Sequence, residues 1–291
     1  MCLNSATITS SVNLRNEFKD LTSSKTIHDL GYTIKLKEDD LYEWDITLLG
    51  APDSSYADGI FHIKLSFPKE YPNESPNICF LTPIYHLNVN PRIPRRSNYE
   101  GNETLGFVSA NFINWWKPST TVKEILIKLY SIFYWETGDS PYGLDRVCEY
   151  RENRSLYELK VKYFTKKYAT KEKFGNEIID KDWNFSVDEK NIKITNQKIN
   201  EKKEDEGKKE ENKYINLKLE INGQKQSIVK CDKNELTGKV IEEWKNNLGI
   251  KPDEDSLFIF NRRKLINDIP LKDNGLKDNS EVIIIYDVLF A

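Results

Sequence analysis

The sequence predicts an α+β protein in two parts, and three observations carry that reading. A short helical stretch is followed by four strand-like runs of alternating polarity between residues 32 and 81. Helical periodicity then takes over up to Tyr168. After a Lys/Glu-rich interval, strict alternation returns at Ile215, and Asn222-Gly223 marks a tight hairpin.

The elements follow in order. Ser10-Ser11 is placed to cap a helix over residues 12–21, with Leu14, Phe18 and Leu21 on one face. Strands are expected over 32–36, 42–49, 60–67 and 77–81, separated by the Gly50-Ala51-Pro52-Asp53 cluster and by two prolines in Phe67–Pro72. A helix then meander reads as α+β. A helix is expected over 121–135, with Val122, Ile125, Leu126, Leu129 and Phe133 inward and Lys123 and Lys128 outward. Two more are expected over 144–150 and 155–168. Residues 175–213 lose apolar side chains in their second half, too few to offset ordering entropy, and read as a flexible linker. About 40 such residues span roughly 35 Å root-mean-square. Trp183, Phe185, Val187, Ile192 and Ile194 in its first half could instead pack on either domain. Beyond it, strands 215–221 and 226–230, a helix capped by Thr237, and strands 257–260 and 282–286 make a compact ββαββ unit. The resulting division is a tail over 1–10, a core domain over 11–170, a linker over 171–213 and a second domain over 214–291.

Composition narrows the function. With 43 basic and 46 acidic residues the net charge is −3, which gives no reason to expect nucleic-acid binding. Four cysteines (Cys2, Cys79, Cys148, Cys231) form no C-x-x-C pair, and there are three histidines, so neither a metal nor a cofactor is expected. Reduced thiols suit a cytoplasmic or nuclear protein. The first residues lack the blocks of a signal peptide, and position 2 is Cys rather than the Gly that myristoylation needs. No apolar run approaches the ~20 residues of a membrane span.

Several ordered motifs carry a resemblance over residues 11–170. Tyr42–Gly50 is followed by Pro52-Asp53-Ser54-Ser55-Tyr56 and Gly59. Phe67-Pro68-x-x-Tyr71-Pro72 comes next, then Ile84-Tyr85-His86-Leu87-Asn88-Val89, with Leu87 where the motif has proline. Trp116-Lys117-Pro118-Ser119-x-Thr121-Val122 and Asp139-Ser140-Pro141 complete the set. In this order they resemble the ubiquitin-conjugating enzyme family, which implies the UBC fold. The second domain resembles ubiquitin, implying a β-grasp.

The resemblance assigns the site. The family forms a thioester on a cysteine; the matching segment here is Gly106-Phe107-Val108-Ser109-Ala110-Asn111, with Ser109 at the cysteine position. Asn88 matches the asparagine held to stabilise the oxyanion. His86 matches a turn-pinning histidine, and Ser140 lies in the loop facing the site. A serine hydroxyl has no useful anion near neutral pH and needs a positioned base. Twenty-one positions separate Asn88 from Ser109, more than the family pattern, and the extra loop carries Arg92, Arg95 and Arg96. The ligase-docking surface maps to Arg15, Lys19, Asn73, Lys117, Pro118 and Ser119, with Asn73 at a common phenylalanine anchor. In the second domain a partner-reading patch maps to Ile259, Ile283 and Ile285. Val282, Ile284 and Tyr286 line the other strand face, so one apolar set is expected to be exposed and adhesive. The chain ends without Gly-Gly and is not expected to be conjugated itself.

The expectation is a catalytically silent binding or regulatory module in conjugation of ubiquitin or a related modifier. Its partners would be the modifier, conjugating enzymes, ligases and ubiquitin-binding proteins, with a contact between its own two domains also possible. The alternatives are an active transferase, using a serine ester or carrying Ser109 by engineering, and an adaptor docking on the proteasome.

Overall fold

The computed structural model describes residues 5–91, 106–109, 112, 114–136, 141–142, 144–171, 212–251 and 256–286. Helix α1 runs Ser5–Thr22 and α2 runs Lys25–Asp29. The expected tail over 1–10 therefore gives way to helix from Ser5. Ser10 does not cap the helix: it lies inside it, fully buried. A small hydroxyl side chain is tolerated on the inner face of a helix.

Strands β1 (Tyr32–Lys37), β2 (Asp40–Leu49), β3 (Ile60–Ser66) and β4 (Asn77–Phe80) form an antiparallel meander in sequence order. Alternation on β3 sends Phe61, Ile63 and Leu65 into the core, where Trp44, Ile46 and Leu48 of β2 join them. Trp44 is fully buried between Phe18 and Phe67, with ring centroids 5.3 and 4.7 Å away. That burial fixes α1 against the sheet.

Helix α3 (Val122–Tyr130) begins with a capping box in which Thr121 and Glu124 satisfy each other's backbone N–H groups. It ends earlier than its apolar period suggested: residues Ser131–Phe133 tighten into a 3-10 turn. Ser131 Oγ donates to Lys128 O at 2.7 Å there. Helices α4 (Leu144–Glu152) and α5 (Arg154–Tyr168) close the first domain, and Asn153 caps α5.

The second domain has a five-stranded mixed sheet, order β6-β5-β9-β7-β8. Its strands are β5 (Tyr214–Ile221), β6 (Gln224–Asp232), β7 (Ser256–Phe260), β8 (Arg263–Lys264) and β9 (Glu281–Tyr286). Helix α6 (Thr237–Leu248) packs Val240, Ile241 and Trp244 on Leu217, Leu219, Phe258, Val282 and Ile284. Thr237 is the first residue of α6, not its cap, because its hydroxyl donates to Ile269 O at 2.7 Å.

The expected exposed aliphatic set is not exposed. Leu257, Ile259, Ile283 and Ile285 are buried and belong to the same apolar cluster as the first domain's core. One strand face packs on α6 and the opposite face packs on the first domain. The linker aromatics Trp183 and Phe185, with Val187, Ile192 and Ile194, lie outside the described residues, as do Arg92, Arg95 and Arg96.

Candidate functional site

The segment carrying Ser109 is an extended strip laid between β4 and the loop after Tyr85. Phe80 N donates to Gly106 O (2.7 Å) and Val108 N to Ile78 O (3.0 Å) on one side. On the other, Gly106 N donates to Asn90 O (2.8 Å), Asn90 N to Phe107 O (2.9 Å) and Ser109 N to Asn88 O (2.8 Å). Gly106 has φ +86°, a left-handed conformation that suits glycine. Asn88 and Ser109 are thus brought side by side through the backbone. Ser109 itself is 3% exposed. Ser140 lies outside the described residues.

His86 is fully buried. Its Nδ1 accepts from Asn88 N–H at 3.0 Å, so the ring proton sits on Nε2, which donates to Ile132 O at 3.0 Å. Burial first, and then the Arg146 guanidinium, push its pKa down to about 3. The ring is therefore neutral with both nitrogens engaged, a pin for the Leu87–Asn88 turn rather than a base for Ser109. Arg146, on α4 and 1% exposed, donates through Nη1 to His86 O and to Val89 O at 3.2 Å. Tyr142 N adds a bond to Leu87 O at 2.8 Å. Sequence reasoning missed Arg146; a lone arginine within a helix gave no signal.

The expected ligase-docking residues are exposed, and one network joins their three segments. Arg15, Lys19, Asn73, Lys117, Pro118 and Ser119 are all exposed. Tyr71 OH donates to Glu17 of α1, and Glu17 accepts Val122 N–H at 2.5 Å. Trp116 Nε1 donates to Pro72 O at 3.0 Å, its ring 5.7 Å from that of Tyr71. Helix α1, the Tyr71-Pro72-Asn73 corner and the Lys117–Ser119 loop are therefore tied side by side. Glu17, whose pKa burial raises, is the splice, and nothing in its sequence context marked it out.

Among the described residues no group of three or more His, Cys, Asp or Glu could hold a metal ion, and no helix is long and apolar enough to cross a membrane.

A model of the ubiquitin-conjugating enzyme family matches residues 13–165, more than half of the chain. The chain belongs to the ubiquitin-conjugating enzyme family. Its place is in ubiquitin conjugation, and ubiquitin and ligases are the partners such a domain works with. Among solved structures, a candidate ubiquitin conjugating enzyme from Plasmodium yoelii is similar at 22% identity and a TM-score of 0.47. The alignment covers 58% of this chain and 99% of that one. The family match ends before the second domain begins.

Proposed function

We propose that this family member is catalytically silent and acts as a binding or regulatory module in conjugation of ubiquitin or a related modifier. The observation that carries the reading is Ser109 at the position where the family's thioester cysteine would stand, with both ring nitrogens of His86 already engaged elsewhere. Thioester formation uses a thiolate, accessible at a pKa near ~8.5, whereas a serine without a base has no comparable nucleophile at neutral pH. The intact backbone cradle of Ser109 and the joined docking segments support retained binding. Residues 214–291 are read as a ubiquitin-like β-grasp domain: a hairpin, a helix across the sheet, and a final strand running parallel to the first. The proteasome-adaptor reading needs its aliphatic face free, and that face is covered.

The test is charging with activating enzyme, ATP and ubiquitin. The chain as it stands is expected to form no adduct. Ser109→Cys is expected to form at most a reductant-sensitive thioester, which would mark a competent scaffold lacking its nucleophile. A reductant-resistant, base-labile adduct on the unchanged chain, lost in Ser109→Ala, would overturn the proposal.

A further inference from the structure

The two domains meet through a built interface. At its centre is Glu220 of β5, fully buried although it lies on the strand face away from α6. Its Oε2 accepts from Thr26 Oγ1 of α2 at 2.6 Å, and its Oε1 lies 2.7 Å from Lys123 Nζ of α3. A buried carboxylate is costly unless it is paired and hydrogen-bonded, and both partners come from the other domain. Around it sits the aliphatic set Leu257, Ile259, Ile283 and Ile285, continuous with the first core.

The rim is equally specific. Tyr130 OH donates to Arg262 O at 2.5 Å, Arg262 Nη2 donates to Gly50 O at 2.7 Å, and Lys264 N donates to Asp53 Oδ2 at 2.9 Å. Asn261 and Arg262 both hold positive φ, +50° and +66°, in the β7–β8 turn. The second such position normally falls to glycine, so an arginine there is strained, and this arginine is the one that reaches across. At the opposite rim the Gly223 turn sits so close to α3 that a Cβ would lie 3.1 Å from Ile127 Cδ1. Its carbonyl accepts Lys123 Nζ at 2.9 Å.

We propose that the second domain is a tethered ligand of helix α3, and that this contact hides its aliphatic face from other proteins until it is displaced. Inter-domain contacts within a chain are usually small and mobile. This one adds four aliphatic side chains of the second domain to the first domain's core and pairs a buried carboxylate. Helix α3 follows the Ser109 strip, since Phe112 N donates to Ser109 O at 2.9 Å and Lys128 Nζ lies 4.9 Å from the Trp115 ring. The docked domain thus covers the helix next to the family's reaction site, while Arg15, Lys19 and Lys117–Ser119 stay open. A partner docking there binds the closed chain; a partner that reads the aliphatic face must compete.

Hydrogen exchange on the full chain tests this. Glu220→Lys and Lys123→Glu each place like charges together at the centre. Each is expected to speed amide exchange in α2 and α3 at least tenfold. The β5–β9 ladder should keep its protection, and anilinonaphthalene sulfonate fluorescence should rise several-fold. The double charge swap is expected to return exchange towards the unmodified chain. If Glu220→Lys disturbs β5 itself, Lys123→Glu, which changes only the first domain, decides. Unchanged α2 and α3 exchange in Lys123→Glu would overturn the proposal. So would an unmodified chain whose α2 and α3 already exchange as fast as in the variants. Neither readout involves charging, so the proposed silence at Ser109 stands or falls separately.

Discussion

Glu136 shows how a single half-buried group sets a pH dependence. It accepts from Tyr56 OH at 3.4 Å, and burial, the largest cause, pushes its pKa up to about 7 from 4.5. The fold therefore prefers the neutral acid. That preference contributes fully below about pH 4.5 and is lost as pH rises through 7. Glu136→Gln is expected to flatten this loss and to raise stability at pH 8 by up to about 3 kcal/mol, read from urea midpoints at pH 5 and pH 8. At this scale the sequence was partly legible. The His86-x-Asn88 turn and Ser109 could be placed from motifs, because each motif residue has a fixed neighbour in the chain. Arg146 and Glu17 could not, because their partners lie 60 and 105 positions away.

Among the elements, α3 carries the most. Thr121→Ala removes half of its capping box and is expected to cost about 1 kcal/mol, measurable by denaturant unfolding. Trp116→Phe leaves Pro72 O without its donor and is expected to cost about 1 kcal/mol. On the proposed docking role of Asn73 and Lys117–Ser119, the same variant is expected to weaken binding of a ligase domain, checked by titration. The four strands of the first sheet were legible because period-2 alternation with one buried face leaves little choice of register. The end of α3 was not: Ile132 and Phe133 keep the apolar period while the backbone hydrogen bonds shorten to 3-10. Ser10 and Thr237 misled for a related reason. A hydroxyl residue near a helix start reads as a cap, yet Ser10 faces the core and Thr237 bonds Ile269 O.

For the whole molecule, the sequence showed that both faces of β9 are apolar but not what covers the second face. Alternation reports that a face is buried, and says nothing about whether its cover is water, a partner or another part of the same chain. Here the cover is the first domain, reached through Glu220, a charge whose burial no local pattern announced. Glu124 gives this arrangement a further property. One of its carboxylate oxygens serves Thr121, closing the first turn of α3, and the other accepts Gln224 Nε2 at 3.2 Å. Lifting the second domain would free that second oxygen, while the first still closes the turn that begins two residues after Ser119. A partner gripping the neighbouring loop would then meet, through one shared side chain, whichever posture the chain holds.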